Sequence, residues 1–142
     1  MKILLVEDDL AHAKMIRRAL EKVVAPGDIM HVTDGGEALD YILGNNRFAG
    51  RSHREVPQLI LLDLRLPRVD GFDVLARIKS DAELRRIPIV VLSTTDRPQD
   101  INRCYASGAN AFVTKPVDFG EFSRKVVDLC EFWQSTAERP IL

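Results

Sequence analysis

Long hydrophobic runs are missing from this sequence of 142 residues. No stretch approaches the roughly 20 apolar residues that a membrane-spanning helix needs. At the amino terminus, the apolar run from Ile3 to Val6 meets Glu7, Asp8 and Asp9, so it is too short and too soon acidic for a secretory signal. We therefore expect a cytoplasmic protein with no membrane partner.

Cysteine is scarce, and neither sign of charge prevails. Cys104 and Cys130 show no metal-ligand spacing and fall in segments that we predict to be helical, which argues against a disulfide framework or a zinc site. The 20 basic and 21 acidic residues leave a net charge of -1. This balance provides no basic footprint for nucleic acid, so the evidence for function must be local.

Short apolar runs alternate with amphipathic segments along the chain. Neither 59–62 nor 89–92 alternates with polar residues, as expected for central strands that are covered on both faces. The five predicted strands are Lys2 to Val6, Ile29 to Thr33, Gln58 to Leu62, Ile87 to Leu92 and Ala111 to Val113. The length suits one core and is too short for two ordinary domains.

Apolar residues at helical spacing separate the predicted strands. One such stripe is Ile16, Ala19, Leu20 and Val23, and the last is Phe119, Phe122, Val126, Leu129 and Trp133. Asp34 before two glycines and Asp118 three residues before Glu121 mark helix starts. We predict an α/β fold, a doubly wound (βα)5 flavodoxin-like three-layer sandwich with a five-stranded parallel sheet, over residues 1–134, followed by a short tail at 135–142.

Three carboxylates directly follow predicted strands: Glu7 and Asp8 after the first, and Asp63 after the third. Because parallel strands end at one edge of a sheet, these acids should converge, and their mutual repulsion calls for a cation. Oxygen ligands with room for water favour Mg²⁺. The alternative is that each acid only caps the helix that follows it.

The fourth and fifth predicted strands end in groups that complement these acids. Ser93 offers a hydroxyl and Lys115 an ammonium for phosphoryl oxygens. Asp63 is the predicted nucleophile, which would form an aspartyl phosphate. We expect Thr94 and Thr95 to cap the next helix rather than to contact phosphate.

The three histidines, His12, His31 and His53, show no metal-ligand spacing and are interpreted as structural or surface groups. His12 falls on the first predicted helix, near the acids. The irregular segment from Asn45 to Pro57 is longer than a typical connection. Its basic side chains suit either a partner surface or a solvated loop, and they are Arg47, Arg51 and Arg54.

Four motifs at the predicted strand ends resemble those of the bacterial response-regulator receiver domain. They are Leu4-Leu5-Val6-Glu7-Asp8-Asp9, Leu62-Asp63-Leu64-Arg65-Leu66-Pro67 with Asp70-Gly71, Leu92-Ser93-Thr94, and Thr114-Lys115-Pro116. The similarity extends from about Lys2 to Trp133. It implies a two-component switch, not an enzyme with a separate substrate, that takes a phosphoryl group from a sensor histidine kinase in a Mg²⁺-dependent reaction and assists its own phosphorylation and dephosphorylation.

The resemblance also implies roles for single residues at the acidic site. Asp63 corresponds to the phosphoacceptor, and Glu7 and Asp8 correspond to its partners in metal binding. Arg65 corresponds to the position whose backbone carbonyl completes the metal site. Many members carry asparagine there, and we expect the arginine to alter the rate of dephosphorylation.

Further correspondences concern the switch itself. Ser93 matches the hydroxyl that turns toward the phosphoryl group, and Phe112 matches the rotating aromatic residue. The commoner tyrosine or histidine at that place could form a hydrogen bond, whereas phenylalanine cannot. Lys115 matches the family's lysine, and the resemblance implies that its bond to Pro116 is a cis peptide.

Several segments are most similar to regulators that serve phytochrome-type histidine kinases. They are Asp40-Tyr41-Ile42, the segment from Asn45 to Pro57, Leu92-Ser93-Thr94-Thr95 and Phe132-Trp133. Members of that subgroup often form dimers through the carboxyl-terminal face, so a homodimer is expected. The few residues after Trp133 leave no room for a nucleic-acid-binding or enzymatic output domain, and we expect output through protein contacts.

Three other functions remain as alternatives. A phosphohydrolase of the haloacid dehalogenase type also forms an aspartyl phosphate, but it needs a D-x-D pattern where this chain has adjacent Glu7 and Asp8. A flavodoxin-like electron carrier would need a hydroxyl- and glycine-rich loop after the first strand. The third is a receiver-shaped module that is never phosphorylated, against which the complete set of acids, hydroxyl and lysine argues.

Overall fold

Five strands and five α-helices alternate along residues 1–50 and 56–142, the part of the chain that the computed structural model describes. The strands are β1 Ile3–Val6, β2 Ile29–Val32, β3 Leu59–Leu62, β4 Ile89–Ser93 and β5 Ala111–Thr114. The α-helices are α1 Leu10–Leu20, α2 Gly35–Leu43, α3 Gly71–Lys79, α4 Pro98–Ala106 and α5 Phe119–Glu131. All five predicted strands are confirmed, with small differences at their ends.

The strands form one parallel sheet in the order β2-β1-β3-β4-β5. The chain builds outward from β1 to β2 on one side and then crosses over to continue from β3 to β5 on the other. The switch point between β1 and β3 is where such a sheet opens a crevice at its carboxyl edge. Val6 pairs with Leu62, so Glu7 and Asp63 emerge side by side.

Helices cover both faces of the sheet, which explains why its central strands lack polar residues. Successive side chains of a strand point to opposite faces. In β1, Leu4 and Val6 therefore pack with α2 and α3, whereas Ile3 and Leu5 pack with α1 and α5. Each face has its own buried cluster, and the predicted doubly wound sandwich is confirmed.

Aspartate side chains begin most of the helices. Asp34 accepts a hydrogen bond from the backbone of Glu37 at the start of α2, and Asp118 accepts one from Glu121 at the start of α5. Both predicted starts are confirmed. The predicted apolar stripe of α5 is wrong at Phe119, which lies in the first turn and is exposed. None of the described helices is long and apolar enough to cross a membrane.

The irregular segment after α2 is described only in part. A 3-10 turn at Asn46–Phe48 places the Phe48 ring edge-on to Tyr41, with 5.0 Å between ring centroids. The Arg47 guanidinium lies 4.3 Å from the centroid of the Phe48 ring. The segment also contains Arg51, His53 and Arg54, which lie outside the described residues.

Close backbone packing brings the start of α3 against the end of β3. A Cβ atom added to Gly71 would lie 2.3 Å from the carbonyl oxygen of Asp63 and 2.5 Å from the Cα atom of Leu64. Both neighbours are backbone atoms, which cannot rotate away as a side chain could. A glycine is therefore required if α3 is to begin this close to Asp63.

We predict that Gly71→Ala lowers the free energy of unfolding by at least about 2 kcal/mol, because the added methyl group must displace backbone. Gly27→Ala is the matched control, since an added Cβ at Gly27 meets no atom within 4 Å. Urea unfolding of the two variants and the native protein measures the difference. Equal midpoints for Gly71→Ala and Gly27→Ala would contradict the packing argument.

Candidate functional site

Three carboxylates meet at the carboxyl ends of β1 and β3. An oxygen atom from each of Glu7, Asp8 and Asp63 lies within 4.8 Å of the others. Glu7 is only 1% exposed, whereas Asp8 faces solvent. The expected convergence of the acids is therefore confirmed. Asp9 instead caps α1, where its side chain accepts a hydrogen bond from the backbone of His12 at 3.0 Å.

Lys115 inserts a buried ammonium group between two of these acids. Its Nζ atom donates to Asp63 Oδ2 at 2.9 Å and also donates to Glu7 Oε1. The backbone N–H of Lys115 donates to the carbonyl oxygen of Ser93 at 2.7 Å. The end of β5 is thereby held against the end of β4, which aims the lysine into the pocket.

The pKa values of Glu7 and Asp63 are shifted in opposite directions. Burial raises the pKa of Glu7 to about 8, and the hydrogen bond and negative charge of Asp63 add to the effect. Burial also acts to raise the pKa of Asp63, but the hydrogen bond from Glu7 and the charge of Lys115 outweigh it and hold that pKa below its ordinary value. Asp63 is thus an ionised carboxylate at neutral pH.

The second carboxylate oxygen of Glu7 has no hydrogen-bond partner in the part of the chain that the structure describes. This Oε2 atom is fully buried, and a buried polar atom without a partner is costly. A divalent cation held by Glu7, Asp8 and Asp63 would supply the partner and take the place of the Glu7 proton. The oxygen-only donor set suits a hard cation.

Ser93 ends β4 beside the acids and connects to the loop that leads into α4. The buried Ser93 hydroxyl accepts a hydrogen bond from the backbone of Thr95 at 3.3 Å. The Thr95 hydroxyl donates to Asp100 Oδ2 at 2.9 Å, and Arg97 donates to the same atom at 2.9 Å. Thr95 therefore bonds to a side chain in the first turn of α4, and Thr94 is exposed. The expected capping role of the two threonines is wrong, because α4 begins after Arg97 and has no capping hydrogen bond from a side chain.

Arg65 and Phe112 lie near the site, but their expected roles stay predictions. The backbone N–H of Arg65 donates to Asp63 Oδ1 at 3.1 Å, which brings the Arg65 backbone beside the carboxylate. Phe112 is half-buried in β5, and its backbone N–H donates to the Tyr105 hydroxyl at 3.1 Å. Phe112 is thus joined to α4 by a hydrogen bond of its backbone.

The expected cis peptide bond between Lys115 and Pro116 is wrong. The described residues contain no cis peptide bond, so this bond is trans. A bond that precedes proline favours the trans form by about 0.5–1 kcal/mol, and a cis form needs tertiary contacts that overcome this preference. Lys115 reaches both acids with the trans bond in place.

His12 belongs to the site, although the spacing of the histidines in the sequence predicts only a structural or surface group. Its Nδ1 atom lies 3.2 Å from Lys115 Nζ and 3.6 Å from Glu7 Oε1. The signal in the sequence is spacing. His12 lies three residues after Asp9, which follows a strand and caps α1. His31 is structural as expected, since its Nε2 atom donates to the carbonyl oxygen of Glu7 at 2.8 Å.

Comparison with known families agrees with this arrangement. The family model of the response regulator receiver domain matches residues 3–127. The chain belongs to the response-regulator receiver family. It is therefore a signalling switch of that family, and the strand-end motifs that suggested the resemblance lie at the acidic pocket.

The similarity to known proteins covers nearly the whole length of this receiver. The probable methanogenesis regulatory protein FilR2 of Methanothrix harundinacea is 44% identical over 92% of this chain and 82% of its own. The phosphorylated cyanobacterial phytochrome response regulator RcpA is 43% identical, with a TM-score of 0.92 over 99% of this chain and 98% of its own. The Mn²⁺-bound form of response regulator Rcp1 is 30% identical, with a TM-score of 0.89 over 99% of this chain and 100% of its own.

The raised pKa of Glu7 predicts a pH dependence of stability in the metal-free protein. Its folded-state pKa is about 8 and its ordinary value is 4.5. Between these values the folded protein holds a proton that the unfolded chain has lost, so the free energy of unfolding falls as pH rises through this window. Glu7→Gln cannot titrate, and at pH 8 we expect it to exceed the native protein in stability by about 1–3 kcal/mol.

Urea unfolding in the presence of a chelator, at about pH 5 and about pH 8, measures this difference. Glu131→Gln is the control, because Glu131 is an exposed glutamate at the end of α5. It should follow the native profile at both pH values. Parallel profiles for the native protein and Glu7→Gln would show that Glu7 does not retain its proton.

Proposed function

We propose that this receiver accepts a phosphoryl group on Asp63 in a Mg²⁺-dependent reaction and reports that state through protein contacts. The observation that carries the proposal is the contact of Lys115 Nζ with Asp63 Oδ2 at 2.9 Å, beside the unpartnered oxygen of Glu7. It combines an ionised nucleophile, a buried positive charge and a place for a cation. These are the groups that phosphoryl transfer requires.

In the proposed reaction, a carboxylate oxygen of Asp63 attacks the phosphorus atom of a phosphohistidine. A phosphorus–oxygen bond forms while the phosphorus–nitrogen bond of the donor breaks, and the departing imidazole nitrogen recovers a proton from solvent. No separate base is needed, because the lowered pKa of Asp63 leaves it ionised. Lys115 stabilises the negative charge on the phosphoryl oxygens and so lets the receiver assist its own phosphorylation.

Mg²⁺ suits the donor set better than a softer metal would. The proposed ligands are carboxylate oxygens of Glu7, Asp8 and Asp63, together with the backbone carbonyl of Arg65. Asp8 faces solvent, which leaves room for the water ligands that Mg²⁺ retains. When bound, the ion neutralises charge on the phosphoryl oxygens.

Exposed apolar side chains near the pocket support a sensor histidine kinase as the phosphoryl donor. Leu10 begins α1, Val117 precedes α5 and Phe119 begins α5, and Val117 is 100% exposed. The His12 and Phe119 rings lie 5.9 Å apart, which joins the starts of the two helices. Apolar groups around a polar pocket are typical of a partner surface. The likeness to RcpA favours a phytochrome-type kinase.

The loop between β4 and α4 provides a route from the phosphoryl group to the surface. Phosphorylation adds a charge of roughly -1.5 to -2 at neutral pH. Turning the Ser93 hydroxyl toward that charge would end its hydrogen bond with Thr95, which in turn bonds to Asp100 in α4. We therefore propose that α4 and β5, with Phe112, carry the signal.

The carboxyl-terminal face offers a surface for a second copy of the chain. β5 is an edge strand of the sheet, so one side of its backbone is available for pairing. A groove of 570 Å³ along this strand is lined by residues that include Phe112, Leu129, Phe132 and Trp133. Phe132 is largely exposed. These features support a homodimer through this face.

We predict one phosphoryl adduct per chain when the protein is incubated with a small phosphodonor and Mg²⁺. Intact mass spectrometry detects the adduct, and a chelator should prevent its formation. Asp63→Asn keeps the size of the side chain but removes the nucleophile, so the adduct should be absent from this variant. A native protein that forms no adduct under any condition would be a receiver-shaped binding module instead.

We predict that Phe132→Glu weakens self-association by about tenfold or more, because it places a charge in an apolar contact. Sedimentation velocity over a range of protein concentrations gives the dissociation constant. Leu10→Glu is the matched control, since Leu10 is an exposed apolar residue beside the acidic pocket rather than on the carboxyl-terminal face. The same dissociation constant for both variants would rule out a dimer through this face.

A further inference from the structure

His12 lies in the first turn of α1 with its ring between the acidic pocket and α5. The Phe119 and Phe122 rings approach it edge-on, with centroids 5.9 and 6.3 Å away. On the other side its Nδ1 atom lies 3.2 Å from Lys115 Nζ. The imidazole therefore has an apolar contact and a polar contact, and only the polar one requires a nitrogen atom.

The polar contact has a defined direction. The ammonium of Lys115 can only donate, so His12 Nδ1 must accept and the ring proton must reside on Nε2. Lys115 has three N–H groups, and it has three acceptors in Glu7, Asp63 and His12. Every donor of the buried ammonium is therefore used before the reaction begins.

Phosphoryl transfer changes two of these three acceptors. Glu7 would turn its charge toward the metal ion, and Asp63 would lose its charge when it becomes an acyl phosphate. His12 accepts through Nδ1 and takes no part in either change. Among the described partners of Lys115 Nζ, His12 is thus the acceptor that the reaction leaves intact.

We propose that His12 is a positioning residue that keeps the Lys115 ammonium at the phosphoryl oxygens while Asp63 and Glu7 change partners. The inference rests on the proposed phosphorylation of Asp63. A lysine side chain is long and flexible, and its charge acts on the transferring group only while it is held nearby. The acceptor at Nδ1 limits this movement.

Two variants of His12 separate the nitrogen acceptor from the packing of the ring. Asn and Leu have side chains of similar size and shape, and only Asn carries a polar acceptor close to the place of Nδ1. Both variants lose the ring contacts with Phe119 and Phe122. A purely structural role would therefore make His12→Asn at least as harmful as His12→Leu.

The experiment measures the rate of phosphorylation against the concentration of acetyl phosphate at saturating Mg²⁺. We expect His12→Leu to lower the maximal rate constant by roughly fivefold to tenfold with an unchanged half-saturating concentration, since one hydrogen bond to the ammonium is lost. His12→Asn should stay within about twofold of the native rate. Thermal unfolding midpoints check that each variant is folded, and His12→Met repeats the test if His12→Leu is not.

Two results would overturn the role of His12 while leaving the proposed function in place. They are native-like rates in His12→Leu, or equal slowing in His12→Asn and His12→Leu. A native protein that forms no adduct would instead overturn the proposed function and this inference with it. The native control therefore distinguishes the two failures.

Discussion

The hydrogen bonds of the Lys115 ammonium to Glu7 and Asp63 are the interactions on which this site depends. They join the ends of β1, β3 and β5, although Lys115 and Glu7 are 108 residues apart in the chain. Removing Lys115 from this buried group would leave the charge of Asp63 uncompensated, at a cost of about 3–5 kcal/mol. The hydrogen bond from Glu7 and the charge of Lys115 also hold the pKa of Asp63 low, so the contacts that stabilise the pocket also keep its nucleophile ionised.

In the metal-free pocket, the charged and polar groups satisfy one another only in part. One ammonium neutralises part of the charge of three acids, the buried Glu7 retains a proton, and its second oxygen finds no partner among the described residues. Each of these features would be relieved by a divalent cation. The acids are therefore arranged for binding a cation rather than for the greatest stability of the metal-free protein, a frequent compromise at functional sites.

Much of this arrangement was predictable from the sequence, because it follows from rules that act locally. Unbroken apolar runs predict buried parallel strands, and the ends of such strands share one edge of the sheet. Glu7, Asp63 and Lys115 follow three of these strands, so the sequence predicts that they lie close together. The helix starts at Asp34 and Asp118 follow from capping chemistry. The strand-end motifs were likewise sufficient to suggest the family.

The order of the elements, the edge of the sheet that carries the site and the chemical types gathered there all follow from the amino-acid sequence. Three features depend instead on how the elements pack: His12 reaches Lys115, the bond between Lys115 and Pro116 is trans, and Phe119 is exposed. The reason is physical: the period of a helix predicts which of its faces is apolar, but not how far that helix is rotated and shifted against the sheet. Those quantities depend on packing among residues that are distant in the chain.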